Sequence, residues 1–341
     1  MRDVPVAKTA YVGKRGVVSE AASRVYTKEE LLAQGFEYVP WNGRYAALSL
    51  HCHSSPSQRP HLVFRDPRAI LDKKGRVIGV LVGQPRSDSW KGINEEMQAI
   101  LELARQAYQA PATHQEHRRG AFTVATCGIS YGGGQTKVKN LAHGNHNQAV
   151  MDALLQQLPV QRVATFGSRA LELFAPRLHA YYEDTLTSLC DHDRTLHRNF
   201  TRSPFGCATF NLGPQCVCLP HRDHLNIAWG MCAISAFGDY NPVEGGHIVL
   251  WEFGMVIEFP PGSTILIMSA IVGHSNTAIK ENEHRYSFTQ YSAGGLFRWA
   301  ESGFKPANSQ PRANAEQARR DGLERWERGV GMLSMWDELI Q

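Results

Sequence analysis

No apolar run in the 341 residues approaches the ~18 that a membrane helix needs, so a helical span is not expected. Neither sign of charge dominates: 36 Lys and Arg stand against 32 Asp and Glu, a net charge of +4 that permits a nucleic-acid partner without demanding one. Glycine and proline are scattered without period and there is no internal repeat or low-complexity tract, which excludes collagen, coiled coil and wholesale disorder. The glycine spacings match neither a P-loop nor a dinucleotide fingerprint. Seven cysteines, with Cys216 and Cys218 as the one close pair, make no disulfide framework. Residues 1–20 mix Arg2, Asp3, Lys8, Lys14 and Arg15 with short apolar pieces instead of a secretory leader, so free thiols in a reducing compartment are expected. Cys52 lies between His51 and His53, but no second pair stands at zinc spacing. What remains is a globular composition, 43% hydrophobic, in a chain long enough to bury a core without staples. Fifteen histidines make metal chemistry worth seeking.

The pattern divides the chain into a support region (1–200), a catalytic core (201–300) and a helical tail (301–341), packed as one compact domain. In the first, apolar pieces at 61–64, 69–71 and 76–82 surround the turn Asp72-Lys73-Lys74-Gly75, which predicts a hairpin. A helix is expected from Asn94, as its N-cap, to Tyr108, with Met97, Ile100, Leu101 and Ala104 on one face. Further helices are expected at Asn147 to Leu158 and at Ser168 to Cys190, the latter kinked or restarted at Pro176. From Phe205 to Trp299 short strands alternate with turn residues: 205–212, 231–237, 247–253, 255–259, 263–272 and 285–291. Turns this regular predict a β-rich α+β fold, a jelly roll of the cupin-like, double-stranded β-helix kind flanked by helices. The tail, 313–339, has a helical pattern broken at Gly329 and Gly331.

The sharpest feature is His221-Arg222-Asp223 followed by His274. Two imidazoles and one carboxylate on one side of a metal, with positions left open, form the ligand set of non-haem Fe(II) oxygenases. Side chains two apart on an extended segment share a side, so His221 and Asp223 can reach one ion. Arg285 stands eleven residues beyond His274 on the next strand. A planar guanidinium suits bidentate grip of a carboxylate, so 2-oxoglutarate would meet the metal at one end and Arg285, helped by the Ser287 hydroxyl, at the other.

These residues resemble the 2-oxoglutarate/Fe(II) dioxygenases of the double-stranded β-helix fold. Within them, residues 205–299 resemble the TET/JBP family that oxidises methyl groups on DNA bases, most closely its compact fungal members. Two patterns carry the likeness: His-x-Asp-x-x-Asn, here His221, Asp223 and Asn226, and Arg-x-Ser followed four residues later by Tyr, here Arg285, Ser287 and Tyr291. The resemblance implies that Asn226 and Tyr291 face a flipped base and that His247 contacts 2-oxoglutarate. The cofactors it implies are Fe(II), 2-oxoglutarate and O2. The chain lacks the cysteine-rich zinc region of animal members, and the position eight after Arg285, a base-contacting His there, is Ala293. Both 5-methylcytosine and N6-methyladenine therefore stay open as substrates.

Acting inside a duplex requires rotating the nucleotide out of the stack and refilling the gap. The loop from Gly128 to Asn140 has a makeup for this, with Lys137 and Lys139 for phosphates and Gln135 and Tyr131 as wedges; a surface loop without ligand is the alternative. Arg194, His197, Arg198 and Arg202 could track a phosphate backbone or be solvated. In the tail, Asp337 could accept from an exocyclic amino group with Gly331 leaving space, or the segment could simply pack Leu333, Trp336 and Leu339 on the core. The expected activity is oxidation of 5-methylcytosine to its hydroxymethyl, formyl and carboxyl forms, or demethylation of N6-methyladenine, by a nuclear, monomeric enzyme on duplex DNA. Two alternatives stand beside it: hydroxylation of a protein side chain or small molecule, and a cupin-like module that binds without turnover.

Overall fold

Alternation along single strands organises the molecule, because successive side chains of a strand leave on opposite faces. In the strand Arg285–Tyr291, the side chains of Arg285, Ser287, Thr289 and Tyr291 line a central cavity. Tyr286 and Phe288 leave on the other face, into an apolar layer shared with helices. The same period holds in Cys207–Leu212, with Thr209 and Asn211 on the cavity and Ala208, Phe210 and Leu212 in the layer. It holds again in Thr123–Ser130, where Thr126 and Ser130 face the cavity and Ala125 and Cys127 the helices.

The computed structural model describes residues 4–16, 18, 24–40, 48–49, 68–85, 87–90, 92–111, 115–306 and 315–339. The strand expected at 61–64 and the group His51, Cys52 and His53 lie outside these. Among the described residues a large sheet runs Leu48–Ser49, Arg68–Leu71, Val77–Gly83, Thr264–Ile267, Cys232–Gly238, Arg285–Tyr291, Cys207–Leu212, Thr123–Ser130, Lys139–Asn140. Facing it, a small sheet runs Glu37–Val39, Met255–Ile257, Ile248–Leu250, His274–Asn276, and His221 bridges onto His274 at its edge. From Cys207 to Tyr291 the chain therefore passes back and forth between the two sheets, its own strands pairing antiparallel. That path is the double-stranded β-helix, an open-sided jelly roll rather than a closed barrel.

Helices cover the outer face of the large sheet. Ile93–Ala107 contributes Ile93, Met97, Leu101 and Ala104, one apolar stripe at helical spacing, to the layer behind Phe210, Phe237 and Phe288. Asn145–Gln156 and Leu158–Phe174 extend that layer with Met151, Leu154, Val160 and Val163. Pro176–His192 packs on Leu158–Phe174, and Gly294–Glu301 packs on Pro176–His192 in turn.

Several boundaries differ from expectation for identifiable reasons. The helix at 93 is capped by Gly92, because the Asn94 side chain is used elsewhere, donating to the Gly238 carbonyl and accepting from the Gly238 amide. The helix expected from Ser168 begins ten residues earlier, at Leu158, with Pro159 in its first turn, where its missing N–H costs nothing. Pro176 does restart the chain, as the first residue of a new helix. The strand expected to reach Phe253 stops at Leu250, and Trp251–Phe253 forms a 3-10 turn closed by Gly254 at φ 59°. The hairpin at Asp72–Gly75 is present, with the Asp72 carboxylate accepting from the Lys74 and Arg76 amides.

Candidate functional site

The metal-ligand set forms where the small sheet frays. His221 and His274 exchange backbone hydrogen bonds at 3.0 and 2.9 Å, which brings their rings to a centroid separation of 4.3 Å. Each Nδ1–H donates to the carbonyl two residues earlier in the chain, Leu219 at 2.7 Å and Val272 at 3.1 Å. Because a carbonyl can only accept, these bonds fix the tautomer and leave both Nε2 lone pairs for a ligand. Asp223 stands between them, its oxygens 3.8 Å from His221 Nε2 and 3.7 Å from His274 Nε2. One ligand atom from each of the three lies within 4.8 Å of the others. Burial, and after it His274, holds the His221 pKa well below its ordinary value, so the ring is neutral and able to ligate. Burial works against the Asp223 carboxylate, yet His221, His274, Arg119 and Arg118 together keep its pKa below the usual one. Among the described residues this is the one His/Cys/Asp/Glu group able to hold a metal, and its donors suit a divalent first-row ion.

Arg285 lies deeper in the same cavity, 1% exposed. Its Nη1 donates to the Cys216 carbonyl at 2.7 Å, while its buried Nε meets no partner and, among the described residues, no carboxylate pairs with the guanidinium. Beside it the Ser287 hydroxyl accepts from Asn211 Nδ2 at 2.7 Å, and Asn211 Oδ1 is buried without a partner. An unpaired buried cation is strongly unfavourable, so this floor is built for an anion that completes it.

The cavity measures about 720 Å³, within the range of ligand sites. Asn226 and Tyr291 are in its wall with Ala293, Gln135 and Lys139. The Asn226 amide nitrogen donates to Ser269 Oγ at 3.0 Å, which leaves the carboxamide oxygen as an acceptor. Gln135 presents a buried Nε2 without a partner. Tyr131, expected as a wedge, is instead buried, its ring edge-packed on Trp299 at 4.9 Å.

Other expected residues stand outside the cavity wall. Lys137 is exposed on the loop beyond it. His247 is fully buried with Nδ1 against Thr277 Oγ1 at 2.8 Å; strand alternation gives the cavity to its neighbour Ile248 instead. Gly331 closes the helix Ala315–Val330, its amide donating to the Glu327 carbonyl. Asp337 is carried away from the cavity because Ser334 and Trp336 bond to Val77 and Gly75 of the hairpin. The tail packs Leu333 into the core. Arg194 and Arg198 are paired with Asp191 and Glu183.

Among the cavity residues that the sequence analysis did not single out, two are arginines. Arg118 and Arg119 form the tip of the hairpin Glu116–His117/Gly120–Ala121 and both line the cavity. The Arg119 carbonyl accepts from the Leu219 amide at 2.7 Å, and Gly120, at φ 146°, lies so close to the Val217 carbonyl that a Cβ would collide with it. The signal available was two arginines before a glycine in a short turn.

No family model and no curated protein matches the chain. Among solved structures it is similar to NgTET1 in complex with 5mC DNA, at 14% identity over 80% of this chain and 93% of that one, with a TM-score of 0.49. It is also similar to an oxidoreductase of the 2OG-Fe(II) oxygenase family from Burkholderia pseudomallei, at 15% identity over 58% of this chain and 78% of that one, TM-score 0.32. A viral collagen prolyl hydroxylase from Paramecium Bursaria Chlorella virus-1, in a 2OG complex, follows at 12% identity, 26% and 59% coverage, and a TM-score of 0.22.

Proposed function

We propose that this protein is an Fe(II)- and 2-oxoglutarate-dependent dioxygenase that oxidises methyl groups on DNA bases. One observation carries the dioxygenase reading: Arg285, a buried guanidinium without a carboxylate partner among the described residues, shares a single cavity with the ligand set His221, Asp223 and His274, and Asn226 and Tyr291 in the same wall support a base as substrate. That pairing fits a keto acid whose one end ligates the metal while its far carboxylate reaches Arg285 and Ser287. When bound, iron with 2-oxoglutarate and O2 supplies the oxidising equivalents that hydroxylate a C–H bond, with succinate and CO2 as coproducts.

The chain's own residues do the rest. His221, Asp223 and His274 would hold the metal, their imidazoles oriented by the carbonyls of Leu219 and Val272. Asn226 accepts from the exocyclic amino group of the base, and Tyr291, whose pKa burial raises well above its ordinary value, keeps a protonated hydroxyl in the wall. Gln135, Lys139 and Arg118 at the cavity, with Lys137 outside it, meet the nucleic-acid backbone. On 5-methylcytosine the product is 5-hydroxymethylcytosine, with the formyl and carboxyl stages reached by repetition. On N6-methyladenine the hydroxymethyl amine sheds formaldehyde, which is demethylation.

Mass spectrometry of nucleosides tests this, after incubation of the protein with Fe(II), 2-oxoglutarate, ascorbate and duplexes carrying either base. Oxidised cytosine or lost methyladenine is expected, absent with His221→Ala and Asp223→Ala. Succinate formed while both bases stay unchanged would reject DNA in favour of a protein or small-molecule substrate.

A further inference from the structure

A base that leaves the duplex for this cavity leaves a hole behind, and an apolar side chain that is exposed and rigidly held is well suited to fill it. Tyr131 is buried, and Gln135 is polar and only partly exposed. Leu225 meets all three conditions. It is 48% exposed, and unlike the other exposed leucines among the described residues, Leu32, Leu103, Leu158 and Leu173, it lines the cavity. It directly precedes Asn226 and stands two residues beyond Asp223.

Its backbone is locked. The Asp223 carbonyl accepts from the Asn226 amide at 2.8 Å, the His224 carbonyl from Gly13 at 2.8 Å, and the Leu225 carbonyl from Gly294 at 2.9 Å. Both supporting glycines are pressed against backbone, Gly13 on the Ala270 carbonyl and Gly294 on the Tyr11 carbonyl, with no room for a Cβ. The side chain thus projects from a turn held on three sides. Arg118 and Lys139 line the same cavity, so the wall that carries this apolar side chain also carries cations able to hold phosphates.

Resting on the DNA-base reading above, we propose that Leu225 is the wedge that enters the duplex in place of the everted base. The phosphates are held by the surrounding cations, and the leucine stacks where the base was. A single-stranded substrate has no hole to fill, so the residue matters for duplexes far more than for single strands.

The test measures oxidation of one methylated sequence as single strand and as duplex, with the full-length protein and its Leu225→Ala and Leu225→Met variants. In parallel, the fluorescence of a 2-aminopurine placed beside the methylated base reports unstacking at saturating protein. Leu225→Ala is expected to lower the duplex to single-strand rate ratio at least tenfold and to abolish the fluorescence rise, while Leu225→Met keeps the ratio within threefold. Equal loss on both forms would make Leu225 a wall of the base pocket and overturn the proposal, as would an unchanged ratio. If the wild-type protein oxidises neither form yet releases succinate, the DNA reading itself falls and the wedge with it.

Discussion

His247 is an imidazole taken wholly out of water, with Nδ1 satisfied by Thr277 and a buried Nε2 that meets no partner. Burial, with Lys28 as the next contribution, lowers its pKa to about 4. An unfolded chain titrates this group near 6.5, so between those values the unfolded state binds more protons and stability falls as pH falls. The neutral ring contributes fully above about pH 6.5, and its loss by pH 4 amounts to about 3 kcal/mol. Urea denaturation from pH 7.5 to 4 is expected to show this decline in the wild type and a shallower one in His247→Gln; parallel curves would refute it. At the floor of the cavity, Arg285→Lys keeps the charge but loses the planar fork, and 2-oxoglutarate affinity by calorimetry is expected to drop tenfold or more. These residues were legible because they share one parity: Arg285, Ser287 and Tyr291 sit at even spacings on one strand, so a two-residue period brings them to the same face. Arg118 and Arg119 were not, because their placement depends on the pairing of Arg119 with Leu219, one hundred residues away, which no local pattern announces.

Among elements, the helix Ala315–Val330 shows how sparse apolar content can still specify docking. Gly322 and Gly329, seven residues apart, fall on one face. That face is pressed onto the rest of the protein, Gly322 against the Lys8 carbonyl and Gly329 against the Trp229 indole. Glu301 then accepts from Tyr11, Tyr181 and Arg328, joining the N-terminal segment, two helices and the tail through one carboxylate. An added methyl at Gly329 has only a rigid ring to displace, so Gly329→Ala is expected to destabilise by about 1–3 kcal/mol despite higher helix propensity. Thermal unfolding checks this, and a variant as stable as the wild type would show that the helix is free to shift. In the sequence Gly329 looked like an interruption of a helix, since propensity marks glycine as a breaker and only the docked surface reveals its use. The same limit applied to Asn94, a good cap by type, which the fold spends on Gly238 instead.

Over the whole molecule the net charge of +4 is too small to say much, and its distribution says more. Many surface cations are neutralised locally: Arg76 by Asp72, Arg105 by Glu102, Arg177 by Glu338, Arg222 by Glu252 and Arg328 by Glu301. Such pairs present little field to a distant anion. Arg118, Arg119 and Lys139, which line the cavity, and Lys137 on the adjoining loop are in no ion pair among the described residues. If these four meet phosphates, binding releases about as many counterions, and the logarithm of the association constant falls against that of salt with a slope of about −3 to −4. Between 50 and 200 mM salt, duplex affinity is then expected to drop about a hundredfold. Replacing Arg118 and Lys139 together by glutamine is expected to make that slope shallower by about two. Arg169→Gln, a cation paired with Glu172 on a helix away from the cavity, is expected to leave it unchanged. Fluorescence anisotropy across a salt series measures all three proteins. A slope equally steep in the double variant would move the phosphate-binding face elsewhere on the molecule, because counterion release counts the cations that touch the backbone wherever they lie.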